Sequence, residues 1–338
     1  MGRERGYSVQ HIVRWGILGT GLIAHKFATA LRDVPGAELV AVASRASDKA
    51  QAFGKHVGVN RCHGSYQELV GDTEIDVIYI ATPHPQHAEN TLMCLQGGKP
   101  VLCEKPFTMN LREARTAIEM AHQKNLFLME AMWTRFLPAI AEAKRIITSG
   151  VIGRVQQCHA DFGFCFNAEP THRLYDRELG GGALLDVGVY PLSLAAYFLG
   201  AIDSVTAVSQ LGDTGADMQT AFTLRHQSGA LSSCACAINA ETPTELTIAG
   251  DLGYLRIEAP FYASQALTVV LASGERHTVP CPYIGNGYCH EAMEVTRCLR
   301  EGLIESPIMC HDESLALMAC LDLIREQVGL TYPSDLPG

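Results

Sequence analysis

Residues 13–24 read VRWGILGTGLIA, a short and mostly apolar run that ends in the pattern G-x-G-x-x-A. Apolar residues then recur at helical spacing, so the stretch predicts a strand, a tight glycine turn and a helix in succession. In such a unit Gly19 permits the turn, Gly21 lets the backbone approach a pyrophosphate, and Ala24 allows the helix to pack closely on the strand. The pattern alone also occurs in other βαβ units, so it predicts a dinucleotide site only in company with further motifs. The residues expected to contact the dinucleotide in this turn are Gly19, Thr20, Gly21, Leu22 and Ile23.

The next predicted strand, 39–43, ends in Ser44-Arg45. An NAD site usually places Asp or Glu at this position to bind the ribose hydroxyls. A carboxylate there would repel a 2′-phosphate, whereas Ser44 can hydrogen-bond the phosphate and Arg45 can pair with it. The sequence therefore predicts NADP(H), with NAD as the weaker alternative because sites of dual specificity look the same. An ordinary solvated arginine is the other interpretation of Arg45.

Two further apolar runs end in polar residues that we assign to the same ligand-binding edge. One run, 77–81, leads into Thr82-Pro83 with His87 close behind, and the other, 101–103, leads into Glu104-Lys105-Pro106. Open α/β sheets bind their ligands at the carboxyl ends of parallel strands. The residues predicted to line this edge are Thr82, Pro83, His87, Glu104 and Lys105.

A strand predicted over 126–129 is followed by a cluster that contains Trp133 and Arg135. We place both residues at the rim of the cofactor site, with core packing of Trp133 and a salt bridge of Arg135 as the alternative. His84 and His87 together raise the question of a metal ion. No third ligand of suitable spacing accompanies them, so no metal is expected.

After a turn at 150–153 the pattern changes to strands that alternate between apolar and polar residues. Eight such strands, separated by turn signals, predict an open and mostly antiparallel sheet, with two late helices near 288–301 and 312–328. The fold class is therefore α/β, with an N-terminal Rossmann domain and a C-terminal α+β domain. We predict domains at 12–136 and 137–334, with a C-terminal segment packing back on the first domain.

A glycine-rich turn at 180–182 precedes an apolar helix predicted to run to about Leu199. Asp186 and Tyr190 are spaced i, i+4 and so project from the same face of that helix. A carboxylate and a phenol are costly to bury in an apolar helix unless they have partners. The plain alternative is a structural pair in which Tyr190 bonds a backbone carbonyl group.

Lys105, Asp186 and Tyr190 together fit the oxidation of an alcohol by hydride transfer. That reaction needs a base for the hydroxyl proton and a group that holds the oxygen. A free tyrosine hydroxyl has a pKa of about 10, and a nearby ammonium group favours the phenolate. We therefore predict Lys105 and Tyr190 as the catalytic pair and Asp186 as the residue that orients the substrate hydroxyl or Lys105. Phe162 and Arg173 join Asp186 and Tyr190 as candidate substrate contacts.

Composition limits the partners and the compartment of this chain. The chain has 338 residues and a net charge of −10, so a nucleic acid partner is not expected, because that needs a basic face. Twelve cysteines without a CxxC pair are expected to be free thiols in a reducing cytoplasm. Residues 1–11 lack the apolar region of a signal peptide. No apolar run is expected to approach the roughly 18 residues of a membrane span.

Four motifs in order resemble the glucose–fructose oxidoreductase/inositol dehydrogenase (Gfo/Idh/MocA) family. They are Gly19-x-Gly21-x-x-Ala24, Thr82-Pro83 with His87, Glu104-Lys105-Pro106, and Gly181-Gly182-x-x-x-Asp186-x-Gly188-x-Tyr190. Many sugar and inositol dehydrogenases of the family carry histidine where this chain has Tyr190. The tyrosine and the segment 129–136 make the chain most similar to the dimeric dihydrodiol dehydrogenases, NADP-dependent enzymes that also oxidise D-xylose at C1.

This resemblance implies an NADP(H)-dependent oxidoreductase that acts on a hydroxyl-bearing carbon of a sugar, polyol or vicinal diol. It also implies a homodimer formed through the open sheet of the second domain. The loop 164–167 and the segment 171–173 match no substrate motif, so the particular substrate stays open. Two alternatives remain: a redox-neutral glycosidase of the same fold that holds its dinucleotide tightly, and a non-catalytic NADP(H) sensor.

Overall fold

The computed structural model describes residues 11–167, 169 and 171–335. The expectation about a signal peptide falls almost wholly on residues outside these ranges. Packing divides the described chain into two compact units. The first contains 11–108, Arg112–Trp133 and Ile284–Ser314, and the second contains Met109–Leu111, most of Thr134–Tyr283, and 315–335. The domain boundaries at 12–136 and 137–334 stay a prediction.

The described ranges contain fourteen β-strands and nine α-helices. In chain order, the strands are β1 Val13–Leu18, β2 Ala37–Ala43, β3 Arg61–His63, β4 Val77–Ile80, β5 Val101–Glu104, β6 Leu128–Ala131, β7 Val155–Gly163, β8 Ile202–Leu211, β9 Asp217–His226, β10 Leu231–Ala237, β11 Leu246–Gly250, β12 Gly253–Ile257, β13 Ala266–Leu271 and β14 Arg276–Pro280. The helices are α1 Leu22–Ala30, α2 Ser47–Val57, α3 Tyr66–Gly71, α4 His87–Gln96, α5 Leu111–Lys124, α6 Pro138–Thr148, α7 Val189–Leu199, α8 Cys289–Arg300 and α9 His311–Val328. A π-helical turn at Leu184–Gly188 runs directly into α7.

The first unit is built on a parallel six-stranded sheet in the order β3-β2-β1-β4-β5-β6. Strands β4 and β5 are buried along their whole length, as expected when helices cover both faces of a parallel sheet. The strand order reverses between β1 and β4, which is the switch point where doubly wound sheets bind dinucleotides. The predicted Rossmann-type fold is confirmed.

The prediction of β6 was wrong in its bounds, because the strand begins at Leu128 instead of residue 126 and includes Glu130. Asn125 adopts a positive φ of 50°, and the N–H group of Leu126 bonds the carbonyl oxygen of Ala121. These contacts end α5 with an extra turn, and they delay the strand by two residues. Glu130 therefore lies inside the sheet and not in the loop that follows it.

The second unit contains an eight-stranded sheet in the order β14-β13-β12-β11-β7-β10-β9-β8. Its neighbouring strands are antiparallel except for β7 and β10, which pair in parallel. The predicted open and mostly antiparallel sheet is therefore confirmed. Helices α6 and α7 pack on one face of it.

The other face of this sheet carries side chains that alternate with the buried ones and are exposed. A depression of about 510 Å³ lies on it, lined among others by His159, Thr206, Arg225 and Leu231. The buried cysteines Cys158, Cys234 and Cys236 alternate with these residues along β7 and β10 and therefore point to the helix side. The depression is thus on the opposite face of the sheet from α7.

One helical segment, Arg177–Leu199, has the length and composition of a membrane span, contrary to the expectation that no run would approach this size. Of its most apolar window, 89% is buried inside the protein. The core helix of a globular protein has the same properties, because it is apolar on every side. The segment includes the π turn and α7, and it is the central helix of the second unit.

Candidate active site

The glycine turn after β1 fits closely against the neighbouring strand β4. Gly19 has a φ of +111°, and a Cβ atom at this position would lie 2.7 Å from the carbonyl oxygen of Ala81. Both facts require glycine, since an L side chain is strained at this φ and would collide with backbone. Ala24 is fully buried against the sheet. The turn therefore has the geometry that the G-x-G-x-x-A pattern predicts.

The N-terminus of α1 has the properties of an anion site. Gly21 precedes the helix in an extended conformation, and no side chain of the described residues caps it. A Cβ atom on Gly21 would meet nothing within 4 Å, so there is open space in front of the first helical N–H groups. Leu22 is 75% exposed on this side. Free N–H groups and the positive end of the helix dipole fit a pyrophosphate group.

Ser44 and Arg45 follow β2 as predicted, and the structure adds Tyr66 to them. Ser44 is buried, and its hydroxyl oxygen accepts a hydrogen bond from the N–H group of Ala46 at 3.4 Å. Arg45 is exposed and interacts with the hydroxyl group of Tyr66 at the start of α3. Burial raises the pKa of Tyr66, and the arginine opposes this effect. No carboxylate follows β2 at residues 44 and 45, so this end of the strand fits a phosphate group better than a ribose diol.

His87 joins two loops of the ligand-binding edge. It is fully buried, with Nδ1 at 2.8 Å from the carbonyl oxygen of Pro106 and Nε2 at 2.9 Å from that of Thr82. Burial lowers the pKa of His87, so the neutral ring donates one hydrogen bond at a time. The ring connects the loop after β4 to the loop that carries Lys105. Direct contact of His87 with a cofactor stays a prediction.

Glu104 at the end of β5 supports the backbone of Lys105. The Glu104 carboxylate accepts hydrogen bonds from the Tyr79 hydroxyl group and from the N–H group of Lys105, the latter at 3.2 Å. Burial, and then the charge of Glu104, raise the pKa of Tyr79, so Tyr79 remains a donor. Glu104 is 5% exposed and Lys105 is half-buried. Lys105 is therefore held at the strand end by a buried carboxylate.

Glu291 on α8 is a buried acid that the sequence pattern did not reveal. The residue is fully buried, and both of its carboxyl oxygens lack a hydrogen-bond partner among the described residues. Burial, and then the charge of Glu104, raise its pKa well above the ordinary value. Glu291 therefore lies close to the Glu104 carboxyl group in the first unit, and burial favours its neutral form.

Trp133 and Arg135, predicted at the cofactor rim, are both buried. The Trp133 ring stacks on Tyr288 at a centroid distance of 4.4 Å. Arg135 belongs to the second unit, where it is 1% exposed and donates from Nε to the hydroxyl group of Ser193 at 2.8 Å. Its guanidinium also lies over the ring of Tyr197. The cofactor roles of Trp133 and Arg135 stay predictions.

Asp186 lies in the π turn that opens the central helix of the second unit. Single π turns inside helices occur often at functional sites. The Asp186 carboxylate pairs with Arg173, whose Nη1 lies 3.1 Å from Oδ1. Asp186 is 7% exposed, while the side chain of Arg173 is 54% exposed. The structure thus brings together two of the predicted substrate residues in one partly solvated ion pair.

The ring of Tyr190 lies in an aromatic wall that also contains Phe162 and Tyr262. The ring centroid of Tyr190 is 5.4 Å from that of Phe162 and 6.1 Å from that of Tyr262. Phe162 and Tyr262 stack at 4.4 Å with an interplanar angle of 2°. Sequence reasoning missed Tyr262, because no local motif surrounds it and it reaches the wall only through the folded sheet. Such a wall suits one face of a ring-shaped substrate.

The predicted residues therefore form two groups. The group in the first unit lies at the carboxyl edge of its sheet and consists of the glycine turn after β1, Thr82, Pro83, Glu104 and Lys105. The group in the second unit lies around the start of α7 and consists of Phe162, Arg173, Asp186 and Tyr190. Within the described ranges, no group of three or more His, Cys, Asp or Glu side chains is placed to hold a metal ion. The absence of a metal stays an expectation.

The parallel sheet, the uncapped glycine turn and the lysine at a strand end define a dinucleotide-dependent oxidoreductase. Residues 13–132 match a family model described as an oxidoreductase family with an NAD-binding Rossmann fold, and residues 140–256 match the GFO/IDH/MocA C-terminal domain. The chain belongs to the GFO/IDH/MocA oxidoreductase family, which confirms the resemblance found in its motifs.

Curated relatives cover nearly the whole chain. A trans-1,2-dihydrobenzene-1,2-diol dehydrogenase from Mus musculus is 37% identical over 335 residues, which span 96% of this chain and 99% of the relative. The D-xylose 1-dehydrogenase (NADP(+)) of Hypocrea jecorina is 37% identical over 368 residues, which span 96% of this chain and 94% of the relative.

Solved structures share the fold. KijD10, a 3-ketoreductase from Actinomadura kijaniata in complex with NADP and TDP-benzene, superposes with a TM-score of 0.84 and 26% identity and covers 94% of this chain and 98% of its own. An aldose-aldose oxidoreductase from Caulobacter crescentus gives a TM-score of 0.86 at 24% identity and covers 94% of this chain and 97% of its own.

Proposed function

We propose that this chain is an NADP(H)-dependent dehydrogenase of a cyclic vicinal diol or sugar, with trans-dihydrodiols and D-xylose as the first substrates to test. The observation that carries the proposal is the Asp186–Arg173 ion pair at the start of the same helical segment whose Tyr190 lies in the aromatic wall. The names of the relatives in mouse and Hypocrea jecorina support these two substrate classes. The stacked rings of Phe162 and Tyr262 favour a substrate that presents a ring face.

The cofactor is proposed to be NADP(H). Free N–H groups at the start of α1 would hold its pyrophosphate group, and Ser44, Arg45 and Tyr66 would hold the 2′-phosphate. When bound, NADP(+) supplies the acceptor of the hydride that leaves the hydroxyl-bearing carbon. The relatives differ in cofactor, since one solved structure contains NADP and another NAD(+).

The residues of this chain would manage the proton and the oxygen of the alcohol. The Tyr190 oxygen takes the hydroxyl proton as the carbon–hydrogen bond breaks, so the alcohol becomes a carbonyl group and one proton is released to water. The Lys105 ammonium stabilises the negative oxygen. Asp186, held by Arg173, accepts a hydrogen bond from a neighbouring substrate hydroxyl group.

The decisive test is Tyr190→Phe, assayed through the ultraviolet absorbance of NADPH with D-xylose and with a trans-dihydrodiol. Loss of the hydroxyl group is expected to lower kcat by about 10²–10⁴-fold and to leave NADP(+) binding unchanged. Tyr197→Phe on the same helix is the matched control and should keep full activity. An unchanged kcat in Tyr190→Phe would refute the role of Tyr190.

The same assay separates the alternatives. Turnover of a glycoside without net formation of NADPH would favour a redox-neutral glycosidase, and binding of NADP(H) without turnover of any diol, aldose or inositol would favour a sensor. Among the described residues we find no feature that favours either alternative, whereas the aromatic wall around Tyr190 has a clear use in a dehydrogenase.

We further propose that the chain works as a cytoplasmic homodimer. All twelve cysteines lie in the described part of the chain as unpaired thiols, and nine of them are buried, which fits a reducing compartment. The exposed sheet face includes Val208 at 69% and Leu231 at 49% exposure. A face of this kind fits burial against a second copy of the chain.

A further inference from the structure

Asp217 is a buried carboxylate at the start of β9 that none of the proposed catalytic steps uses. The residue is fully buried. Its Oδ2 accepts hydrogen bonds from the N–H group of Leu184 at 2.8 Å and from the hydroxyl group of Thr220 at 2.7 Å. Leu184 opens the π turn that contains Asp186. Asp217 is therefore fastened to the first residue of the helical segment that carries the proposed site.

The other oxygen of Asp217 lies against the glycine turn that precedes this segment. Gly182 has a φ of +126°, and a Cβ atom there would lie 2.1 Å from Asp217 Oδ1 and 3.2 Å from the Tyr332 hydroxyl oxygen. The Tyr332 hydroxyl group donates to the carbonyl oxygen of Gly181 at 2.8 Å. Two buried polar side chains from distant parts of the sequence thus converge on two consecutive glycines.

The acceptor oxygens of Asp217 suit this place. The first N–H groups of a helix have no partner inside the helix, and they form the positive end of its dipole. The carboxyl group of Asp217 satisfies one of these donors, the N–H group of Leu184. The turn at Gly181 and Gly182 has no side chain of its own to restrict it, so its conformation depends on groups supplied from outside. Asp217 and Tyr332 are two of those groups, and the carbonyl oxygens of Asp176 and Leu174 accept hydrogen bonds from the N–H groups of Gly181 and Gly182.

We propose that Asp217 is a positioning residue for catalysis, which fixes the start of the central helix and thereby the direction in which Asp186 and Tyr190 point. This inference rests on the proposed function, because it takes Asp186 and Tyr190 as the residues that act on the substrate. Tyr332 supports the same turn from the segment after α9. Thr220 holds the carboxylate in its orientation.

The ionised form of Asp217 is costly to keep in this place. Burial raises its pKa to about 7, in spite of the hydrogen bonds from Thr220 and Leu184. The other titratable groups around Asp217 and Tyr332 are Cys236 on β10 and, nearer to Tyr332, Arg177, Arg325 and Asp335. Because the folded state favours the neutral acid, the stability that Asp217 contributes is complete below its unfolded-state pKa and is lost as the pH rises through about 7.

Because the buried charge of Asp217 lowers the stability of the fold, a variant without this charge distinguishes a positioning role from a structural one. Asp217→Asn removes the charge and keeps the shape, so at pH 8 its unfolding temperature should equal or exceed that of the wild type. Its kcat should nevertheless fall by about tenfold or more, because one acceptor oxygen becomes an NH₂ donor facing the helix start and the site residues move. The Kd of NADP(+) should not change. Hydrogen exchange of the amides in 180–190, measured by mass spectrometry, should be faster than in the wild type.

Glu258→Gln is the matched control. Like Asp217, Glu258 accepts a hydrogen bond from a threonine hydroxyl group, here that of Thr268 on β13 at 2.6 Å. This variant should keep wild-type kcat and wild-type exchange in 180–190. If Asp217→Asn keeps full kcat, or loses stability and activity together, the positioning role is refuted. The proposed function is refuted by a different result, full activity of Tyr190→Phe. The two proposals can therefore fail independently.

Discussion

The guanidinium group of Arg45 is exposed at the end of β2 beside the Tyr66 hydroxyl. This position predicts that Arg45→Ala weakens the binding of NADP(H) by roughly 10–100-fold, as expected for loss of hydrogen bonds to a charged group. Binding of NAD(H) should change little, since it has no 2′-phosphate. Fluorescence titration with both reduced cofactors measures the two Kd values.

Arg32→Ala is the control for this comparison, because Arg32 is an exposed arginine of the same unit that bonds the carbonyl oxygen of Val57. It should leave both Kd values unchanged. Equal weakening of NADPH and NADH in Arg45→Ala would contradict a contact between Arg45 and the 2′-phosphate.

Glu291 carries a prediction about pH. Its folded-state pKa lies well above that of an unfolded glutamate, which is about 4.3. The stability that the neutral acid gives is therefore complete below that value and is lost as the pH rises through the folded-state pKa. Glu291→Gln keeps the neutral form at every pH, so its unfolding temperature should exceed that of the wild type by about 2–4 °C or more at pH 8.

Thermal unfolding between pH 4 and pH 8 tests this prediction, and the difference should shrink toward the acid end. Glu89→Gln, a change of an exposed glutamate on α4, should give no such trend. A lower unfolding temperature of Glu291→Gln at pH 8 would mean that the ionised carboxylate has a stabilising partner, which contradicts the placement described for Glu291.

At the scale of elements, the aromatic wall beside α7 carries a prediction about substrate binding. Tyr262→Leu removes the ring that stacks on Phe162. An aromatic contact is worth about 0.5–1.5 kcal/mol beyond its buried area, so KM for a ring-shaped diol should rise by roughly two- to tenfold with a smaller change in kcat. Steady-state kinetics at saturating NADP(+) measures both constants.

Tyr254→Leu is the matched control for the aromatic wall, since Tyr254 is exposed on β12 and its ring is not part of that wall. The KM of this variant should stay at the wild-type value. A KM of Tyr262→Leu equal to that of the wild type would show that the substrate binds elsewhere.

Elements with strong periodicity were the predictable part of the fold. The glycine turn, the apolar runs of β4 and β5, and the helix that ends at Leu199 depend on local patterns, and the structure contains them at or near their predicted bounds. The parallel pairing of β7 with β10 was not predicted, because alternation marks which face of a strand is buried but not the direction of its neighbour. The π turn at Leu184–Gly188 was also not predicted.

Motifs in the sequence mark some residues of the candidate site and leave others unmarked. Lys105, Asp186 and Tyr190 stand out because charged or phenolic groups interrupt apolar runs. Glu291 and Tyr262 lack such a signal, because each lies among ordinary neighbours and reaches its partners only through tertiary packing. The stacking of the buried Trp133 on Tyr288 fits core packing, the alternative that the sequence left open for Trp133.

At the scale of the whole molecule, the open sheet face leads to a prediction about assembly. We expect twice the subunit mass in light scattering coupled to size exclusion. Leu231→Glu places a carboxylate in the depression of this face. In a two-fold interface each subunit contributes this carboxylate, and the repulsion between the two like charges costs several kcal/mol of association free energy. The variant should therefore elute as a monomer at micromolar concentration.

Ile284→Glu is the control for assembly, because Ile284 is equally exposed, at 49%, but belongs to the first unit. It should leave the mass unchanged. A monomeric wild type, or a dimeric Leu231→Glu, would contradict assembly through this face.

The distribution of thiols has a practical consequence for spectroscopy. All twelve cysteines lie within the described ranges, and Cys165 is the exposed one among them. Burial raises the pKa of other cysteine thiols, for example that of Cys158 to about 12. A raised pKa makes a thiol slow to react. Cys165 follows β7 directly after Phe164, whose ring lies 6.5 Å from that of Phe162. A maleimide dye would therefore mark the native chain beside the aromatic wall without any engineered cysteine, and its emission would report ligand arrival in real time.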